Sequence, residues 1–343
     1  MIRFPEPLRH GDTIAVTAPS SGVPVSMHPR LDLALTSLRK RGYRVVEGQC
    51  LRANDLHVSA SAELRSAELE RFLADPAISA VMPPWGGELG MDLLRHLDFE
   101  RLEKQTPKWF CGFSDLSTLQ LPMLLKCGWA SLHGPNLMEL ATPAETSDAV
   151  WQVLSTPADG KHTQKGSRLH QRDSVDWVRR PEAALAPSEK TQWRRLDDDE
   201  GPITLSGRLV GGCVDTLSRI AGTAFGDLPG FARSHAAEGV LLFLENAQMQ
   251  PCELARALMS LRLHGWFDNV AGVLFGRDAR VLPKSSDGFT SDHAIALALE
   301  GLDLPVLLDL DIGHVPPQMA LVQGALATVE FYDRNGCAHQ HHG

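Results

Sequence analysis

Short β-branched runs alternate with helix-period stretches along most of this chain, and no other feature restricts its fold as tightly. Residues 13–17 (TIAVT) read as a buried strand that ends in the turn cluster Ala18-Pro19-Ser20-Ser21-Gly22. Residues 29–41 carry Leu31, Leu33, Leu35 and Leu38, enough apolar surface for a helix laid on a sheet. Further strands are expected at 43–46, 78–82 and 108–112. Helices are expected at 61–73, 89–97 and 116–126, the last with Pro122 inside it. Such alternation predicts a parallel sheet covered on both faces. The pattern resumes at 204–210, where Gly211-Gly212 is expected to break the strand. It continues through a helix at 214–221 and the apolar run 239–244 (GVLLFL). A helix at 251–263 opens on Pro251, which suits a first turn. Strands at 270–275, 305–309 and 325–332 and a helix at 292–299 complete a second α/β region.

Between these regions, residues from about 141 to 203 show no sustained period. The plain reading is a linker, with the run Asp197-Asp198-Asp199-Glu200 simply solvated. Trp177 and Trp193 argue for something more. Exposed indole is costly, and a loop folded over a site would shelter both.

Composition narrows the function. The 343 residues are enough for two domains. With 33 Lys+Arg against 42 Asp+Glu the net charge is −9, so no basic surface for a nucleic-acid polymer is expected. No apolar run approaches 18 residues, so no membrane span is expected. The opening residues 1–8 lack the charged-then-apolar layout of a signal peptide, and the six Cys are scattered without a C-x-x-C pair. The expectation is a cytoplasmic protein with reduced, mostly buried thiols. Neither G-x-G-x-x-G nor a P-loop pattern occurs, nor H-E-x-x-H, so no cofactor and no metal are called for.

Ser114 stands where the 108–112 strand meets a helix, a junction that exposes a hydroxyl and aims the first helical amides at it. The arrangement is like a nucleophile elbow, although Leu116 replaces the second Gly of G-x-S-x-G, and a Ser-Asp pair at a helix start also reads as a cap. A serine nucleophile needs a base and a group to orient that base. Among 14 His, His133 in Leu-His-Gly-Pro-Asn and His314 in Asp-Ile-Gly-His-Val-Pro-Pro are the best placed, and both also suit a structural role. His339, His341 and His342 fall in a polar stretch where solvated or adventitiously metal-binding side chains are expected. Glu245 follows five apolar residues at the C-terminal end of a strand, where ligand sites of open α/β sheets collect. A His partner would make it an orienter, and Arg277 would make it a structural ion pair. The glycine turn Pro84-Trp85-Gly86-Gly87-Glu88 follows a strand and could cradle an oxyanion or be a plain turn.

In this order the pieces resemble the LD-carboxypeptidase family of serine peptidases, in the subgroup like the microcin C self-immunity hydrolase. The resemblance runs through Gly11-Asp12-Thr13-Ile14-Ala15-Val16, Pro84-Trp85-Gly86-Gly87-Glu88, Gly112-Phe113-Ser114-Asp115 and Leu132-His133-Gly134-Pro135. It continues in Gly207-Arg208-Leu209-Val210-Gly211-Gly212, Leu244-Glu245 and Asp311-Ile312-Gly313-His314. It implies Ser114 as nucleophile, His314 as base and Glu245 as orienter, with an oxyanion hole from the amides of Asp115 and Gly87. It also implies a flavodoxin-like parallel-sheet domain (1–145), a linker and substrate loop (146–203) and a C-terminal α/β domain with a mixed sheet (204–343), in a homodimer. Trp85, Gly86, Glu88, Trp177, Trp193 and Arg208 are the expected substrate contacts, with Arg219 and Arg277 as further carboxylate binders. Phe113 stands where a Tyr is frequent and Cys213 where some members carry Asn. The implied activity is release of a terminal D-amino acid from murein peptides. Hydrolysis of aminoacyl nucleotides is the alternative, and a catalytically silent peptide- or nucleotide-binding protein is the alternative of another class.

Overall fold

The computed structural model describes residues 1–142, 145–280 and 288–343. Five parallel strands build most of the first sheet, in the order Arg44–Glu47, Thr13–Val16, Ala80–Val81, Trp109–Gly112, Leu132–His133, and Leu321–Val322 adds a sixth, antiparallel to Leu132–His133. This is the flavodoxin-like order, with its crossover between the first and third strands. All four residues of Thr13–Val16 are buried, as expected of a strand covered on both faces. The helix His28–Lys40 buries Leu31, Ala34, Leu35 and Leu38 and leaves Leu33 exposed. Ser61 caps Ala62–Ala74 by accepting from the Leu64 amide at 3.4 Å. The helix expected over 89–97 is only a 3-10 segment, Gly90–Arg95. A tertiary contact fixes its start, because the Gly90 amide donates to Asp115 Oδ2 at 2.7 Å.

The second sheet is mixed. Its order is Lys161–Lys165, Asn335–His341, Leu326–Tyr332, Ile203–Cys213, Val240–Glu245, Gly272–Gly276, Val306–Leu310, Arg194–Arg195. The four strands from Ile203–Cys213 to Val306–Leu310 are parallel and the outer ones antiparallel. Val240–Glu245 is buried at all six positions. Full burial of each of its Leu and Phe side chains contributes roughly 1.5–3 kcal/mol.

Three expectations need correction. Gly211-Gly212 does not break its strand, which runs on to Cys213. Both glycines have positive φ, and a Cβ on Gly211 would lie 1.7 Å from the Phe243 carbonyl oxygen, so the pair buys close approach rather than a turn. The segment 146–203 is not free of structure: Lys161–Lys165 and Arg194–Arg195 form the two outer strands of the second sheet. The polar stretch near residue 343 is a strand, Asn335–His341, and His342 is buried and stacked on Phe4. Cross-strand partners supplied from far along the chain override weak local pattern in each case.

The two sheets meet through the helix Ser117–Cys127. Cys213 N donates to Ser117 Oγ at 3.1 Å, and a Cβ on Gly212 would come within 2.4 Å of that oxygen. One apolar cluster takes Leu116 and Leu119 from one side and Val210, Val214, Leu242 and Leu244 from the other. Among the described residues no helix is long and apolar enough to cross a membrane.

Candidate active site

The strand Trp109–Gly112 delivers the chain to Ser114 through an extended Phe113. Ser114 itself has φ +67°, the left-handed region that costs a residue with a Cβ roughly 1–2 kcal/mol. The sharp turn this produces is the elbow geometry that the missing second glycine left open. Leu116 at that glycine's place is fully buried, and the room is supplied by another loop. A Cβ on Gly86 would sit 2.9 Å from both Ser114 Cβ and the Asp115 amide nitrogen.

Glu245 ends its strand with no exposed surface, and His314 follows the strand Val306–Leu310 in a loop. His314 Nδ1 lies 2.8 Å from Glu245 Oε2, and Nε2 lies 3.0 Å from Ser114 Oγ. The partners set the tautomer: Nδ1–H donates to the carboxylate and Nε2 accepts from the hydroxyl. Two glycines permit this approach. A Cβ on Gly313, at φ +90°, would fall 2.5 Å from Glu245 Oε2, and one on Gly276 would fall 3.1 Å from Glu245 Cβ. Burial alone would push the Glu245 carboxyl up, but the His314 charge and hydrogen bond leave it below the usual carboxylate range. Burial pulls His314 down, and the Glu245 charge and hydrogen bond outweigh it, so its pKa is raised. The Cys213 thiol, paired in register with Glu245, is pushed up by burial and by that carboxylate.

His133 is adjacent but separate. It is buried, neither ring nitrogen has a partner among the described residues, and desolvation lowers its pKa to about 4. The Phe113 ring touches both imidazoles, with centroids 4.8 Å from His314 and 6.2 Å from His133. The structure thus brings Ser114, Glu245 and His314 together and leaves His133 as wall.

Two amides are the expected oxyanion donors. Asp115 N is at the start of a helical turn and has no intrahelical partner. Gly87, at φ +146°, is pressed against Ser20 and Ser21, where a Cβ would lie 2.4 Å from Ser20 Oγ. The Asp115 side chain accepts from Ser20 Oγ at 2.5 Å and from Gly90 N at 2.7 Å, and so pins both loops beside Ser114.

The expected substrate contacts divide. Trp85 is half-buried, donating to the Ser21 carbonyl at 2.9 Å, and Glu88 is exposed. Trp177 is half-buried with the Arg30 guanidinium 4.2 Å over its ring, and Arg30 also donates to the Pro181 and Ala183 carbonyls. Two others are engaged by the fold itself. Trp193 is fully buried and donates to Asp311 Oδ2 at 3.0 Å, so it is a core residue. Arg208 is buried and committed to Glu238 and the Gly324 carbonyl. Arg277 likewise serves structure: it is buried against Asp311 Oδ1 at 2.9 Å and donates to the carbonyls of Val315 and Pro317. Those bonds grip both sides of His314. Asp311 is held further by Ser167 and Trp193.

No sequence pattern pointed to Glu139. It accepts from Asn136 N at 2.8 Å, and desolvation pushes its carboxyl up to about 7 against the opposing pull of that bond, His314 and Arg30. Only the folding of its loop onto the cleft could reveal it.

Residues 14–134 match the LD-carboxypeptidase N-terminal domain and residues 206–329 the LD-carboxypeptidase C-terminal domain. The chain is 24% identical over 334 residues to the microcin C7 self-immunity protein MccF of Escherichia coli, covering 96% of this chain and 93% of that one. It is 24% identical over 322 residues to the murein tetrapeptide carboxypeptidase of Pseudomonas aeruginosa, covering 92% of each. The structure of MccF in complex with glutamyl sulfamoyl guanosine superposes with a TM-score of 0.81, at 22% identity and 97% coverage of both chains. Matched in both halves and in order, the chain belongs to the LD-carboxypeptidase family of serine peptidases.

Proposed function

We propose that this protein hydrolyses the amide bond before a terminal D-amino acid of a murein peptide, with Ser114, His314 and Glu245 as its catalytic triad. The observation that carries the reading is the continuous Ser114–His314–Glu245 relay, at 3.0 and 2.8 Å, on a serine held at φ +67°. Ser114 Oγ attacks the carbonyl carbon as its proton passes to His314 Nε2. Glu245 stays ionised and holds Nδ1–H. The amides of Asp115 and Gly87 stabilise the oxyanion. His314 then protonates the leaving amine, and in the second half it takes a proton from the water that releases the acyl group.

The second reading, hydrolysis of aminoacyl nucleotides, is supported by the near full-length likeness to the microcin self-immunity protein. Nothing in the site favours a silent binding protein. The division into 1–145, 146–203 and 204–343 is supported by the spans of the two family matches. Six free thiols support a reducing, cytoplasmic setting for wall recycling. The homodimer rests on the resemblance, and light scattering of the purified chain tests it.

The deciding experiment offers a murein tetrapeptide and an aminoacyl sulfamoyl adenylate to wild type and to Ser114→Ala, with products read by mass spectrometry. Loss of terminal D-alanine by wild type alone is expected. Release of a sulfamoyl nucleoside alone would establish the second reading. Turnover by Ser114→Ala would remove the triad assignment.

A further inference from the structure

Away from the cleft, the last hairpin brings together three side chains whose spacing matches no metal motif. Glu330 on Leu326–Tyr332 is the register partner of Cys337 on Asn335–His341, and His339 is two residues further on the same face. Cys337 Sγ is 3.4 Å from Glu330 Oε2 and 3.1 Å from His339 Nε2, and those two atoms are 3.8 Å apart. Around a tetrahedral ion with bonds of about 2.0–2.1 Å to N and O and about 2.3 Å to S, such donors would stand roughly 3.3–3.6 Å from one another. The observed triangle straddles those edges. We propose that Glu330, Cys337 and His339 bind a zinc-type divalent cation, with the fourth position left to solvent.

A second contact supports the site. His339 Nδ1 lies 2.9 Å from Thr163 Oγ1 on the neighbouring strand, which fixes the ring with Nε2 toward the other two donors. One thiolate, one imidazole and one carboxylate select zinc-like ions over magnesium or calcium. Burial and Glu330 push the Cys337 thiol up, and Lys165, in register with Cys337 on its other side, pulls the opposite way. Tyr332 also borders the thiol. Binding replaces the thiol proton with the metal and releases that proton to solvent. The cation would clasp the final two strands and take no part in the chemistry at Ser114.

The test is a Co2+ titration of the chelator-treated full-length protein, followed by absorption. One equivalent should produce tetrahedral ligand-field bands with a thiolate-to-cobalt charge-transfer band, and Zn2+ should displace both. Cys337→Ser should abolish the charge-transfer band, and His339→Ala should weaken binding by about tenfold or more. Cys252→Ser, which alters the exposed thiol, should leave the spectrum unchanged. Circular dichroism shows whether each variant is folded. A wild type without the charge-transfer band, or a band that survives Cys337→Ser, would overturn the proposal, as would unchanged affinity in His339→Ala.

Discussion

Ser114 and His314 show how much of the proposed chemistry is set by single side chains in unusual surroundings. A general base must be neutral to accept a proton, and Glu245 raises the His314 pKa above its usual 6.5. The acid limb of kcat/KM should therefore lie above 6.5, with activity falling as pH drops through the raised value. Glu245→Gln removes the charge that raises it, so the limb should move to lower pH while kcat falls by about three to four orders of magnitude. A pH–rate profile of both forms checks this. An unshifted limb in Glu245→Gln would mean that another group controls it, and Glu139, pushed up to about 7, is the next to substitute.

At the scale of elements, the loop carrying His314 is held by a buried clamp. Arg277, at the end of the third parallel strand of its sheet, ties Asp311, Val315 and Pro317 around the imidazole. Breaking a buried ion pair from one side leaves an uncompensated charge, at a cost of about 3–5 kcal/mol. Arg277→Met should lower stability to urea by about that amount and reduce kcat more than it raises KM. Adding Asp311→Leu should recover part of the stability without recovering kcat, since the grip on the loop is still gone. An unchanged kcat in Arg277→Met would show that the loop positions His314 without the clamp. Neither partner's role was legible in the sequence. Asp311 stood in a recognisable motif, but Arg277 was open to several uses, because nothing local says which strand end faces which loop. The same holds for Trp193, whose polar neighbours suggested a substrate loop and whose indole lies in the core. Ser114 and Glu245 were more legible, since a strand end is visible in the apolar run before it.

For the molecule as a whole, several buried histidines are held neutral. Burial lowers His133 and His342 to about 4 and lowers His162 and His170 as well. A depressed histidine contributes stability in full above its unfolded value near 6.5, and that stability is lost as pH falls toward the folded value. Each of the first two should contribute on the order of 3 kcal/mol at neutral pH. Glu139 and His314 run the other way, but the lowered histidines outnumber them. Urea midpoints should therefore drop steeply between pH 6.5 and 4, and His342→Phe, with Phe4 and Trp109 beside the ring, should soften the drop. A midpoint that stays flat over that range would show that these rings find proton-accepting partners in solution.

The sequence by itself determined the α/β class, the parallel strands of the first sheet, the family and the strand ends where Ser114 and Glu245 stand. Those follow from periodicity and turn chemistry, which act over a few residues, and from motifs that keep their order. Only the tertiary structure decided that Gly211-Gly212 continues a strand, that the 146–203 segment and residues 335–341 supply strands, and that Trp193 lies in the core. It also decided which arginines were already spent on carboxylates and carbonyls. Each of these depends on partners that are not neighbours in the sequence or on the exclusion of water from a particular side chain, and neither leaves a local pattern to read.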